Sequence, residues 1–223
     1  MCGRFGFTPK ENQLRQQFDL KKIPDLFPSY NIAPSQNILG IGRFERVSRE
    51  ARHFRWGLIP SWAKDEKIGY KLINARGETV KEKPSFRSAF AHRRLIIPAS
   101  YFFEWKREGT QKTPYLIRLK DQDLFGMAGL WERWTASTGE VIDSCTIITC
   151  EANKAVSALH DRMPVILPED RYGLWLGEEK AEPAAITALL TPFPSEMMDL
   201  YPVTGKVGNP RFNTPECIEP VNA

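Results

Sequence analysis

No uncharged apolar run in this 223-residue sequence approaches the roughly 18 residues needed to cross a bilayer, so the sequence predicts no membrane-spanning helix. Its first fifteen residues, MCGRFGFTPKENQLR, have no apolar core of the kind a secretory signal needs. A cytoplasmic protein is the expectation, and with no route to an oxidising compartment the four cysteines are read as free thiols. Histidine is scarce, three in all. Cys145 and Cys150 are an odd number of positions apart in one predicted strand, which points them to opposite faces, and Cys217 lies in a proline-flanked tail without a nearby histidine. No zinc-like spacing results, so neither a metal nor a cofactor is expected. Internal repeats and linker-like stretches are also missing, and the 17 prolines are scattered. Residues 1–223 therefore read as a single domain. At 42% hydrophobic and 11% aromatic residues, disorder is excluded.

Acidic residues are few in the first half. Residues 1–120 hold 24 Lys+Arg against 11 Asp+Glu, a balance of +13, whereas residues 121–223 hold 7 against 16, a balance of −9. Clustered cations suit a polyanionic partner, because binding releases counterions from phosphates. Two oppositely charged halves packing against each other is the alternative.

Regular alternation of strand and helix is absent too. The pattern Thr8-Pro9-Lys10-Glu11 has capping-box form and is followed by Leu14 and Phe18 at helical spacing, which predicts a first helix near 9–18. Aliphatic and aromatic runs predict strands over Leu95 to Trp105, Pro114 to Leu119, Leu124 to Trp131, Val141 to Cys150 and Pro164 to Leu167. Short helices fit Ser85 to Ala91, Glu151 to Leu159, Pro168 to Leu176 and Pro183 to Leu190. The fold class is α+β, a mostly antiparallel, barrel-like β core with short flanking helices.

Cys2 carries distinctive chemistry. If Met1 is trimmed, Cys2 bears an α-amine and a thiol on adjacent carbons. The amine, with a reference pKa of about 7.7–8.0, is partly neutral near pH 7, and the thiol, near about 8.5, is activated by neighbouring cations, of which Arg4 supplies one. A 1,2-aminothiol meeting an aldehyde forms an imine and then closes through sulfur to a five-membered thiazolidine. A thiol alone gives only a readily reversed hemithioacetal. A small residue at a frayed terminus is the alternative.

Seven motifs occur in order: Cys2-Gly3-Arg4-Phe5; Tyr30-Asn31-Ile32-Ala33-Pro34; Trp56-Gly57-Leu58-Ile59-Pro60-Ser61-Trp62; Asn74-Ala75-Arg76 with Glu78-Thr79; Phe103-Glu104-Trp105; His160-Asp161-Arg162-Met163-Pro164-Val165; and Val207-Gly208-Asn209. Together they resemble the SOS-response-associated peptidase (SRAP) family from Cys2 to about Asn209. One departure is Tyr101 ahead of Phe103-Glu104-Trp105, where the family usually has glycine. The resemblance implies the SRAP fold and covalent capture of abasic sites in single-stranded DNA as a thiazolidine DNA–protein crosslink, a lyase-like activity that protects the lesion during the DNA damage response. It also implies association with the nucleoid when DNA is bound. Carried over motif by motif, Cys2 is the nucleophile, Asn74 holds the amino terminus or the sugar, and Glu104 and His160 move protons. Each has a structural alternative: Glu104 as a buried, hydrogen-bonded acid, His160 as a helix C-terminal cap, Asn74 as a turn former.

For single-stranded DNA, Arg4, Arg76 and Arg162 are the candidate phosphate ligands, and Trp56 and Trp62 the candidate stacking surfaces. Trp56-Gly57-Leu58-Ile59 also reads as a core strand. The run Lys81, Lys83, Arg87, Arg93 and Arg94, with Phe86 interleaved, either extends the basic track or is a solvated helix face. Two other functions fit some of these features. One is an N-terminal-cysteine peptidase, whose target would include its own Met1 bond unless an aminopeptidase removes Met1. The other is a non-covalent nucleic-acid-binding module in which Cys2 is incidental.

Overall fold

The structure, a computed structural model, describes residues 2–44 and 48–221. Met1, whose removal the Cys2 chemistry requires, lies outside the described residues. In chain order the elements are β1 (Phe5–Phe7), α1 (Glu11–Phe18), β2 (Ser29–Ile32), β3 (Asn37–Gly42), β4 (Glu50–Trp56), β5 (Asn74–Arg76), α2 (Arg87–His92), β6 (Arg94–Ala99), β7 (Tyr101–Glu108), β8 (Gln111–Leu119), β9 (Phe125–Thr135), β10 (Val141–Glu151), β11 (Arg162–Pro164), β12 (Ile166–Leu167), α3 (Tyr172–Leu176), α4 (Pro183–Ala188) and β13 (Met198–Pro202). Among the described residues, no helix is long and apolar enough to cross a membrane.

The strands form two sheets. One has the order β13-β8-β7-β1-β2; the other runs β11-β10-β4-β3-β6-β9-β12, with β5 on β10. Because β10 also pairs with β9, the path β10-β4-β3-β6-β9 closes on itself as a five-stranded barrel, which leaves those strands without free edges. Among the described residues, only the pairings of β10 with β4 and β5 are parallel. The barrel explains the unbroken apolar run in β10: Cys145 and Cys150 do face opposite ways, yet both are buried, because one face fills the barrel and the other is covered. The two sheets meet through Phe5 and Trp56, whose rings pack edge to face at 5.3 Å. Outside, the rings of Phe18 and Tyr172 stack at 5.1 Å and join α1 to α3.

Several expected boundaries move. α1 begins at Glu11, two residues after the Pro9 start, with Lys10 at its N-cap and no side-chain cap bond, so the capping box does not form. The run Leu95 to Trp105 is two strands. Ser100 divides them: its N–H donates to Gly6 O (2.8 Å) and its Oγ accepts from Thr8 N (3.1 Å), and the chain passes there from the barrel into the second sheet. Both halves are buried, so apolar continuity conceals the break. No helix spans Glu151 to Leu159. Pairing of Glu151 with Arg162 and donation by Ala152 N to Asp161 O (2.9 Å) extend the β10–β11 ladder, leaving a 3-10 turn at Val156–Ala158. Pro164 to Leu167 is likewise shared between β11, on β10, and β12, on β9, and a 3-10 turn at Glu169–Arg171 precedes the shorter α3. Among the described residues, ion pairs that join a cation of the first half to a carboxylate of the second include Arg49–Glu178 (2.7 Å), Arg93–Glu132 (2.7 Å) and Arg118–Asp199 (3.6 Å). Packing between the halves thus accounts for only part of the charge asymmetry.

Tyr101, at the position where the resembled family usually has glycine, lies in ordinary extended backbone and opens β7. Its ring occupies space that Gly6 leaves empty on the paired strand: a Cβ at Gly6 would lie 2.0 Å from Tyr101 Cζ. The hydroxyl donates to Tyr30 O (3.2 Å). Gly6→Ala is therefore expected to destabilise the protein by about 1–3 kcal/mol through overpacking. In a Tyr101→Gly background the same change should cost far less. Urea unfolding of the four chains checks this, and equal costs in both backgrounds would contradict the packing assigned to this pair.

Candidate active site

A chain terminus normally frays, and here strand pairing prevents it. β1 runs antiparallel to β7 with Phe5 opposite Phe102 and Gly6 opposite Tyr101, and Phe103 N donates to Arg4 O (3.0 Å). Continuing that register lays residues 2–4 alongside Phe103, Glu104 and Trp105. Side chains alternate along β7: Tyr101 and Phe103 enter a small outer cluster with Leu116, Val207 and Cys217, while Phe102 enters the main core. Glu104 shares the face of Phe102, and is 3% exposed. A carboxyl is thus carried into the interior beside Cys2.

The barrel supplies the opposite wall. Asn74 opens β5, where it pairs with Ile147 of β10. Its Nδ2 donates to Cys2 O (2.9 Å), and its Oδ1 is buried with no hydrogen-bond partner among the described residues. That oxygen is an available acceptor beside the terminus. His160 follows the Val156–Ala158 turn, its N–H donating to Val156 O (3.0 Å). Its Nδ1 accepts from Arg162 N (3.0 Å) and lies 2.7 Å from Asp161 Oδ1. A neutral ring suits the first contact, a protonated ring the second.

Burial sets the protonation states. It pushes the Glu104 carboxyl up to about 7, because the charged form loses its hydration. Burial likewise lowers the His160 imidazole below its ordinary value. Asp161 pulls the other way but its carboxylate is 85% exposed, so water screens it and desolvation prevails. The Cys2 thiol is raised above the ordinary thiol value, first by burial and then by the negative charge of Glu104. Arg4 eases the thiol only through a backbone hydrogen bond, which burial outweighs, and not through the guanidinium charge that the sequence suggested. The Arg4 guanidinium donates instead to Asn31 Oδ1 (2.9 Å), Val207 O and Gly208 O (2.9 Å). The site therefore holds a protonated thiol, a carboxyl that titrates near neutrality and a neutral imidazole, a set able to give and take protons around one small volume.

The other expected residues divide. Arg76, at the end of β5, is exposed, and Trp62 is 58% exposed. Trp56 is a core residue, 1% exposed, with Nε1 donating to Ile73 O (2.9 Å), so its stacking role is corrected to packing between the sheets. Arg162 is buried and forked onto Glu78, so its guanidinium is not open to solvent. Arg4 is drawn into a clamp built by Asn31, whose Nδ2 donates to Val207 O, Asn209 O and Phe212 O (3.1, 3.1 and 2.8 Å). Asn31 received no role from the sequence. Its only signal was an amide inside the apolar motif Tyr30 to Pro34. Also unforeseen is Tyr70, 57% exposed, with the Arg55 guanidinium 5.7 Å from its ring centre; it shares the Trp62 excursion between β4 and β5. Among the described residues, no group of three or more His, Cys, Asp or Glu could hold a metal.

The raised Glu104 carboxyl has a consequence for stability. With a folded value near 7 and an unfolded one of about 4.3, the folded state binds the extra proton between those limits. Its contribution is full below the lower limit and is lost as pH rises through 7. Glu104→Gln should remove this loss, so that the wild type falls relative to the variant by roughly 3 kcal/mol at most between pH 4.5 and 8. Urea denaturation across that range checks the sign. A wild type that gains on the variant as pH rises would refute it.

Similarity to known proteins bears on this site. The family described as SOS response associated peptidase (SRAP) matches residues 1–210. Abasic site processing protein YoqW of Bacillus subtilis (strain 168) is 46% identical over 226 residues, spanning 98% of this chain and 99% of that protein. Abasic site processing protein HMCES of Mus musculus is 32% identical, spanning 100% of this chain and 76% of that protein. A crystal structure of a protein from Bacteroides thetaiotaomicron superposes with a TM-score of 0.88 at 30% identity, over 99% of this chain and all of that one. The match to the family over nearly the whole chain, with relatives this similar, shows that the chain belongs to the SOS response associated peptidase (SRAP) family.

Proposed function

We propose that this protein is a covalent sensor of abasic sites in single-stranded DNA, and that Cys2, freed of Met1, forms a thiazolidine with the ring-opened sugar. The observation that carries the reading is the Asn74 Nδ2 bond to Cys2 O at 2.9 Å, which fixes the terminus against buried Glu104. Relatives named for abasic site processing support the substrate.

The steps follow from the protonation states. A Glu104 carboxyl near 7 donates a proton to the sugar ring oxygen, the anomeric carbon–ring oxygen bond breaks as the anomeric hydroxyl gives up its proton, and the ring opens to an aldehyde. The neutral Cys2 amine adds to the aldehyde carbon and gives a carbinolamine. Protonation of its hydroxyl releases water and leaves the imine. The Cys2 sulfur then bonds to the imine carbon as its proton passes, through Glu104 or His160, to the imine nitrogen, and the five-membered ring is complete with one water lost overall. An amine-first route tolerates the raised thiol. Peptide hydrolysis led by sulfur would need a thiolate, which burial and Glu104 disfavour. Asn74 Oδ1 is placed to accept from the amine or a sugar hydroxyl.

Exposed Arg76 and Trp62 are the proposed phosphate and stacking contacts, with exposed Tyr70 as a further ring on the excursion between β4 and β5. Unpaired bases stack on such rings without sequence readout. Arg4 and Arg162 already have internal partners, so their part in binding DNA is assigned to holding the site in shape.

Single-turnover crosslinking to an abasic oligonucleotide, followed by denaturing gel and mass spectrometry, tests the chemistry. Cys2→Ala, or one residue added before Cys2, should abolish a heat-stable crosslink. Glu104→Gln and His160→Ala should keep the product and slow the saturated rate by about 10²-fold or more. An undiminished band with either terminal change would exclude the thiazolidine. A separate set of binding measurements addresses the surface. Affinity should fall as salt rises and favour single strands over duplex, and Arg76→Ala should raise the DNA concentration needed more than it lowers the saturated rate. Salt-independent binding, or equal competition by duplex, would misplace the basic track.

A further inference from the structure

One ion pair links the end of the strand that carries Asn74 to His160, and its carboxylate, Glu78, has no part in the chemistry proposed above. Arg162 opens β11, and its side chain is 11% exposed. Its Nη1 donates to Glu78 Oε1 (2.7 Å) and its Nη2 to Glu78 Oε2 (2.9 Å), a bidentate fork. Nη2 donates also to Thr149 O (2.7 Å). The same carbonyl accepts from Gly77 N (2.8 Å), and Thr149 pairs in register with Arg76 of β5. One backbone oxygen of β10 therefore fastens both the guanidinium and the end of the strand that carries Asn74. At its other end Arg162 donates its main-chain N–H to His160 Nδ1 (3.0 Å). The contacts run without a gap from Glu78 through Arg162 to the imidazole.

Stability does not account for Glu78. Its side chain is 48% exposed, and a carboxylate that accessible contributes little through an ion pair. Arg162 is the member that needs the pair: its Nε is buried without a hydrogen-bond partner among the described residues, so Glu78 and Thr149 are what hold the plane of the fork. The fork adds to the β10 pairing that fixes the Arg162 main chain, whose N–H meets the imidazole in one orientation, and a neutral imidazole that accepts at Nδ1 keeps its proton on Nε2.

We propose that Glu78 is a positioning residue for the covalent chemistry: through the Arg162 fork it sets the orientation of His160 relative to Asn74 and the Cys2 it holds. This inference rests on the function proposed above. It competes with a second use of the same pair, in which DNA phosphate displaces Glu78 and takes Arg162. The two differ in sign. If Glu78 only shields a phosphate ligand, neutralising it should strengthen DNA binding. If it positions His160, neutralising it should slow the reaction and leave affinity alone.

The test is single-turnover crosslinking of the full chain, with Cys2 as its first residue, to a single-stranded abasic oligonucleotide over a range of DNA concentrations. Wild type, Glu78→Gln, Glu78→Ala, His160→Ala and Glu78→Ala/His160→Ala are compared, with thermal unfolding measured in parallel. The near-isosteric Glu78→Gln keeps the test valid if Glu78→Ala does not fold. Both Glu78 variants are expected to lower the saturated rate about 10-fold or more, with the half-saturating concentration within about twofold of wild type. In the His160→Ala background, Glu78→Ala should cost less than about twofold, since the group it acts through is gone. A wild-type saturated rate in Glu78→Gln, a lowered half-saturating concentration in that variant, or full multiplication of the two losses in the double variant would each overturn the proposal while leaving the proposed function intact. A wild type that forms no crosslink would remove the function, and this inference with it.

Discussion

The pairing of a three-residue strand, Phe5–Phe7, between β7 and β2 is the constraint on which the site depends. An amino terminus has no chain on one side to hold it, and without tertiary contacts it samples many positions. Here β7 fixes the register on one side and β2 on the other, while Phe5 is wedged against Trp56 of the barrel. Asn74 then needs one hydrogen bond to hold the Cys2 carbonyl. The Asn31 clamp reinforces this from outside, tying Arg4 to Val207 and Gly208. Motifs far apart in the sequence thus serve one end, which is to hold Cys2 as deeply buried as a core residue.

Burial has an electrostatic consequence. The same packing that fixes Cys2 removes water from Glu104 and His160, and desolvation moves acids and bases in opposite directions. A carboxyl rises toward neutrality as an imidazole falls. Neither shift needs a dedicated charged partner. Both follow from placing polar groups at the seam of two sheets, where the interior of one meets the rim of the other. The thiol is raised by the same cause, which favours a sequence of steps that begins at nitrogen and ends at sulfur.

The charge asymmetry divides in a similar way. Arg49, Arg93 and Arg118 meet carboxylates of the second half, and Arg4 and Arg94 meet backbone carbonyls. Arg76, the lysines of the Trp62–Lys71 excursion, and Lys81, Lys83 and Arg87 remain exposed, and these are among the cations left for a polyanion. A count of charges along the chain does not separate the two groups, because a guanidinium in a clamp and one at the surface have the same formal charge.

Much of the β core was legible from local pattern: β8, β9 and β10 run long enough for branched and aromatic residues to show. The three-residue β1 and β5 were not, since a strand that short is made by its neighbours rather than its own propensity. The Ser100 crossing was hidden because both of its flanks are buried, and the expected helix at Glu151 gave way to ladder bonds with the strand that begins at Arg162. By itself the sequence determined the chemistry available: a potential aminothiol at Cys2, an acid at Glu104, an imidazole at His160 and an amide at Asn74, in motifs specific enough to indicate the family. Only the tertiary structure decided which arginines face solvent, that Trp56 is core, and that the thiol is protonated. Those properties depend on distance and on the exclusion of water, which arise when strands distant in sequence are brought together.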